Sequence, residues 1–181
     1  MTEKLVYAFS EGNRDQKDLL GGKGANLAEM TNLGIPVPPG FTITTEACRE
    51  YLANGANPPD LVRQIDASVA ALEEQMGRTL GDPENPLLLS VRSGAKFSMP
   101  GMMETVLNIG LNDVSVHGLA AISGNPRFAW DSYRRLIQMY GKTVLEIDGE
   151  LFAHALADAM VSSGVNSDVE IPAEYLQTMK E

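Results

Sequence analysis

LLLSVRSGAKFSMPGMMETVLN, residues 87–108, is the stretch on which the fold turns. Leu87 to Val91 is a short apolar run with the length and composition of a buried strand. It empties into Arg92, Ser93, Gly94, Ala95 and Lys96, a small-residue segment that carries two cations. Pro100 and Gly101 break the chain again, and Met102 to Leu107 resumes an apolar pattern. Such a loop can aim backbone N–H groups and cations at one place, which predicts an anion site. The competing reading is an ordinary turn with solvated charges.

On the N-terminal side, Lys4 to Phe9 reads as a first strand and Glu11 to Asp15 as a polar turn. Gly21, Gly22 and Gly24 surround Lys23 and predict a loop. A helix follows, with Leu27, Met30 and Leu33 on its apolar side, ended by Gly34 and Pro36. Lys23 is then at a helix N-terminus, where the macrodipole favours an anion and disfavours a lysine unless it serves a ligand. A solvated side chain is the plainer alternative. The loop is not a Walker A motif: Lys17 stands where its first glycine belongs, and Gly24 where a Ser or Thr should follow Lys23. Gly141-Lys142-Thr143 fails in the same way, with Leu136 in the glycine position. Phe41 to Thr44 reads as a short strand, with Thr44 or Thr45 capping the helix that runs through Tyr51. A helix from Leu61 carries the stripe Leu61, Ile65, Val69, Leu72 and Met76.

Beyond Asn108 the pattern turns helical. Asn112 or Asp113 caps one helix, and Ser123-Gly124-Asn125-Pro126 breaks the chain. Arg127 to Tyr140 follows, with Trp130, Tyr133, Ile137 and Tyr140 as a packing stripe. Leu151 to Met160 forms another helix, Val161 to Ser167 a flexible polar loop, and Ala173 to Glu181 a helix still open at the last residue. The fold class is α+β: residues 1–111 form a part of α/β character, and residues 112–181 an all-helical part.

A chain of 181 residues, 44% apolar, can bury one good core or two small ones. The net charge of −10 excludes a general nucleic-acid or anionic-membrane surface, yet a small anion needs only a few local cations. No apolar run approaches a membrane span and no signal peptide is evident, so a cytoplasmic location is expected. The single cysteine, Cys48, fits a reducing compartment and reads as a buried small residue in a helix. His117 and His154 have no ligand-spaced neighbours, so no metal site is predicted.

Three blocks, Asp18–Cys48, Leu87–Asp113 and Gly124–Gly141, closely resemble pyruvate, phosphate dikinases at their N-terminal end. The resemblance covers most of residues 1–160, with the blocks in the family's order and spacing. Phosphoenolpyruvate synthases and rifampicin phosphotransferases share the lysine loop and an Arg-Ser start. They typically continue differently from Gly94 to Met103, where this chain has the dikinase version. The resemblance implies an ATP-grasp nucleotide-binding domain that uses ATP and Mg²⁺. The family converts ATP, phosphate and pyruvate to AMP, pyrophosphate and phosphoenolpyruvate through a phosphohistidine. By motif, Lys23, Arg92 and Ser93 match residues that hold the nucleotide's phosphates, with Arg92 stabilising charge during transfer. Gly101 and Thr105 match a loop that closes over the phosphates. Positioning and charge neutralisation are the main requirements of phosphoryl transfer.

The family chain is several times longer. The second half of the ATP-grasp domain, the phosphohistidine domain and the pyruvate domain have no counterpart in these residues. The expectation is therefore an incomplete ATP-grasp domain, inactive alone, with a possible homodimer through surface that the missing half would cover. A stand-alone, non-catalytic module binding a nucleotide or a protein is the alternative.

Overall fold

The computed structural model describes residues 3–94 and 105–179. They form two compact units, Met1–Gly77 with Ser93–Met103, and Arg78–Arg92 with Glu104–Glu181. Helices and three two-stranded sheets make up the described residues, an α+β composition.

The first unit contains β1 (Val6–Ala8), α1 (Lys17–Asn32), β2 (Phe41–Ile43), α2 (Thr45–Asn54) and α3 (Leu61–Met76). Two 3-10 turns, Phe9–Glu11 and Arg14–Gln16, join β1 to α1. β1 and β2 are antiparallel, with Val6 opposite Ile43 and Ala8 opposite Phe41. Leu5, Val6, Ala47 and Leu61 are buried together, and Phe41 and Ile65 pack against them. Thr44 caps α2, its hydroxyl accepting the Ala47 N–H, so the end of β2 and the start of α2 are set by one residue. Gln64 ties α3 to β1. Its Oε1 accepts the N–H groups of Leu5 (2.8 Å) and Val6 (3.1 Å), and its Nε2 donates to the Glu3 carbonyl (2.8 Å).

Three expectations change here. The glycines around Lys23 do not make a loop: α1 runs from Lys17 to Asn32, and only Gly21 leaves helical geometry, at φ 69°, ψ 169°. Glycine adopts that backbone without a Cβ clash, so the break shrinks to one residue. The buried face of α1 is not Leu27, Met30 and Leu33. Leu20, Gly24, Ala25 and Ala28 are buried, while Leu33 is 68% exposed. Small residues let the helix lie closer to β2 than a leucine face would. Cys48 is exposed on α2 rather than buried, because its neighbour Ala47 takes the inward position.

The second unit contains β3 (Thr79–Leu80), β4 (Pro86–Leu87), β5 (Leu89–Arg92) and β6 (Thr105–Ile109), then α4 (Ser115–Ser123), α5 (Pro126–Thr143), α6 (Gly149–Ser163) and α7 (Ala173–Thr178). β3 and β4 form a short parallel pair, with Thr79 opposite Pro86 and Leu80 opposite Leu87. β5 and β6 form an antiparallel pair, with Arg92 opposite Thr105. One core gathers Val116, Ala129, Trp130, Ala159, Ile171 and Leu176. A second gathers Val106, Leu111 and Leu136. Neither Asn112 nor Asp113 is the N-cap of α4: Val114 holds that position without a side-chain cap, and Asn112 Oδ1 accepts from Val114 N and Ser115 N in the turn just ahead of the helix. Asn125 caps α5, with Pro126 at its first position. The 111/112 division drawn from the sequence falls inside this unit, between β6 and α4.

The run Leu87–Val91 is not one buried strand. Leu87 is buried, but it belongs to β4, and β5 becomes exposed toward Arg92, with Val91 at 52%. The cause is the partner set: among the described residues β5 pairs with β6 alone, and α5 packs on β6. α6 extends to Ser163, into the segment expected to be a loop, and a 3-10 turn, Asp168–Glu170, follows. α7 closes at Thr178 with Met179 N–H bonded to the Leu176 carbonyl, and residues 180–181 lie outside the described residues.

Candidate functional site

Lys23 follows the Gly21 break by two residues, so it stands in the first turn of the helical segment that resumes there. The first N–H groups of such a segment lack intrahelical partners. The Lys23 ammonium donates to the Ser93 carbonyl at 3.3 Å, across 70 positions of sequence and within the first unit. An ammonium has three N–H donors, and this bond occupies one of them.

In the second unit, Arg92 ends β5 at an exposed position directly opposite half-buried Thr105 at the start of β6. Directly opposed residues of an antiparallel pair share a face, which puts a guanidinium beside a hydroxyl. The sequence-predicted residues thus fall into two pairs, Lys23 with Ser93 and Arg92 with Thr105. Arg92 and Ser93 are consecutive in the chain. Gly101 lies outside the described residues, as does Lys96. Chemically, both pairs offer cationic and hydroxyl or amide donors and no carboxylate, the equipment for holding an anion rather than for moving a proton.

Two residues escaped the sequence reading. Gly21 was one glycine among three, and only its positive φ singles it out. Asn108 directly follows the apolar run that ends at Leu107, and it adopts φ 62°.

Two cavities occur elsewhere. One of about 390 Å³ in the second unit is lined by apolar side chains that include Ile109, Ile137, Tyr140, Leu145 and Phe152. One of about 400 Å³ in the first unit is lined by residues that include Glu11, Ser68 and Gln75. Neither is lined by Lys23, Arg92, Ser93 or Thr105. His117 meets Trp130 edge to face, with centroids 5.4 Å apart, and His154 is exposed on α6. Trp130 itself is buried, which makes the aromatic stripe of α5 packing. Among the described residues no three His, Cys, Asp or Glu side chains converge on a point. No described helix is long and apolar enough to cross a membrane.

Residues 17–70 match the family described as pyruvate phosphate dikinase, AMP/ATP-binding domain. That segment holds Lys23 and the Gly21 break. Similarity extends much further. A pyruvate, phosphate dikinase of Rhizobium meliloti (strain 1021) is 54% identical over 175 residues, 94% of this chain and 20% of the relative. One of Clostridium symbiosum is 52% identical over 179 residues, 98% of this chain and 20% of the relative. A chloroplastic one of Flaveria trinervia is 52% identical over 184 residues, 99% of this chain and 19% of the relative. The chain spans about a fifth of the length of these relatives. Over nearly all of its own length, therefore, this chain is a relative of the pyruvate, phosphate dikinases and includes part of their AMP/ATP-binding domain.

Proposed function

We propose that this chain is the N-terminal, phosphate-holding part of an ATP-grasp nucleotide-binding domain, and that it serves the phosphoryl-donor half-reaction of a pyruvate, phosphate dikinase. The observation that carries the reading is the Lys23–Ser93 hydrogen bond, which joins two motif residues far apart in sequence. Lys23 and Arg92 neutralise the ATP phosphates, and Ser93 and Thr105 add polar contacts. Gly101 belongs to the same proposal through the resemblance alone. Arg92 stabilises charge that develops as the phosphoryl group leaves. Mg²⁺ accompanies ATP in the dikinase reaction. No step here is assigned to it.

The whole reaction (ATP, phosphate and pyruvate to AMP, pyrophosphate and phosphoenolpyruvate) requires the parts of the relatives that this chain does not span. Alone it binds ATP weakly, on the order of millimolar to high micromolar, because a few charge-assisted contacts act without an adenine pocket. Self-association through exposed apolar surface and a cytoplasmic location belong to the same reading. Calorimetric titration with ATP and Mg²⁺ tests it, with the Lys23→Ala, Arg92→Ala double variant beside the wild type. Weak binding abolished in the variant supports the proposal. Equal binding by both proteins overturns the residue assignment. Formation of AMP that depends on pyruvate would overturn the claim of inactivity alone.

A further inference from the structure

Asn108 is a non-glycine residue with positive φ, 62°, inside a strand. Left-handed backbone is uncommon there, and asparagine is among the few residues that tolerate it. The strand pairing shows what it accompanies. Leu89 faces Ile109, but Val91 faces Val106 and Arg92 faces Thr105. Two steps along β5 correspond to three along β6, so β6 carries a one-residue bulge across Leu107 and Asn108. The bulge is fastened from outside the sheet: Asn108 Nδ2 donates to the Ser132 carbonyl of α5 at 3.3 Å.

The bulge decides which side chains share a face. In a regular strand Val106 and Ile109, three residues apart, point to opposite sides. Here Val106 is buried with Leu111 and Leu136, and Ile109 packs against the same cluster. If the pairing at Leu89 and Ile109 continued without the extra residue, Arg92 would face Val106. Thr105 would then turn to the other side of the sheet.

We propose that Asn108 is a positioning residue: its left-handed bulge is what sets Thr105, rather than Val106, opposite Arg92. Its functional part rests on the reading of Arg92 and Thr105 as phosphate-holding residues. Asn108 itself touches no ligand. It acts through the register of β5 on β6, anchored to α5.

The test uses the whole chain with Asn108→Gly and Asn108→Val. Two readouts are taken, backbone NOEs between β5 and β6 and calorimetric titration with ATP and Mg²⁺. Glycine keeps the positive φ and loses only the Ser132 bond. It is expected to retain the Arg92–Thr105 NOEs and to bind ATP within about twofold of wild type. Valine is β-branched and disfavours positive φ. It is expected to move the Arg92 NOEs to Val106 and to weaken ATP binding by about tenfold. If the valine variant does not fold, Asn108→Ala is read in the same way. Retention of the Arg92–Thr105 NOEs in the folded non-glycine variant overturns the proposal. So does a shifted register with unchanged ATP affinity. If the wild type binds no ATP, the phosphate reading falls and the functional part of the proposal with it. The NOEs still decide separately whether Asn108 sets the register.

Discussion

Gly24 stands against Thr42: a Cβ built on Gly24 would lie 2.7 Å from Thr42 Cγ2 and 2.8 Å from its Oγ1. No real Cβ makes such a contact, and a β-branched residue within a strand has little freedom to withdraw. The close approach fixes how α1 lies on β2, one residue from Lys23. Gly24→Ala is expected to destabilise the chain by about 1–2 kcal/mol, overpacking outweighing the better helix propensity of alanine. Thermal unfolding would show a lowered midpoint. Adding Thr42→Ala, which removes both clashing atoms, is expected to recover most of it. An unchanged midpoint in the single variant would sink the packing claim.

Gln64 offers a second check within the first unit. Its amide satisfies the N–H groups of Leu5 and Val6, at the start of β1, and one carbonyl at once, in partly buried surroundings. Gln64→Ala is expected to cost about 1–3 kcal/mol, since Leu5 N and Val6 N lose their shared acceptor. Hydrogen exchange at those two amides should accelerate more than at Ala47, which is held by Thr44.

Acid sensitivity of the second unit is expected to centre on Asp131. Burial works to raise its carboxyl pKa, but hydrogen bonds and charge from Arg134 and Arg135 together hold it below the usual carboxylate value. Arg134 is only 8% exposed and reaches Asp131 Oδ1 at 2.7 Å. Because the folded value is lowered, the contribution is complete above the ordinary carboxylate pKa. It is lost as pH falls through the lower folded value. Asp131→Asn is expected to cost about 3 kcal/mol at neutral pH, by leaving a buried guanidinium uncompensated. Urea unfolding at pH 7 and at pH 3 should find the gap between wild type and variant narrowed in acid. A constant gap would exclude the ion pair as its source.

Arg127 holds the last described segment. Its Nε donates to the Ile171 carbonyl at 3.1 Å and its Nη2 to the Asp168 carbonyl at 2.8 Å. Ile171 and Leu176 are almost fully buried. Lysine lacks the planar fork, so Arg127→Lys is expected to lose about 1–2 kcal/mol. It should also raise proteolytic cleavage between Val165 and Ile171. A variant as protease-resistant as the wild type would show that the apolar contacts suffice.

Helix limits were the most legible part of the sequence. Leu61–Met76 is marked by its stripe and by Gly77, and Asn125-Pro126 announces α5 through capping chemistry that acts locally. The face that α1 buries was not legible. Hydrophobicity favours Met30 and Leu33, whereas closeness to β2 selects Gly24, Ala25 and Ala28, and that choice exists only once β2 is in place. β5 misled for a related reason: an apolar run announces burial, but its single partner strand decides how much of it is covered. Among the site residues, Lys23, Arg92, Ser93 and Thr105 were named from motifs. Their pairing by hydrogen bond and register is a long-range fact. Asn108 gave one faint signal, the spacing of Val106 and Ile109, which no regular strand can place on one face.

The passage of the chain from the first unit to the second after Gly77, and back at Ser93, orders events during synthesis. On a ribosome, Leu5, Val6, Ala47 and Leu61 all emerge before residues 78–92, so they can collapse together without them. The carbonyl that receives the Lys23 ammonium comes only after β3, β4 and β5 have been made. β5 must then wait for Thr105–Ile109 before it has a strand to pair with. The surroundings of Lys23 are therefore completed only after a further 70 residues have been made. For the same reason no single cut yields the first unit with Ser93 attached. A permuted or split version must carry a designed bridge from Gly77 to Ser93.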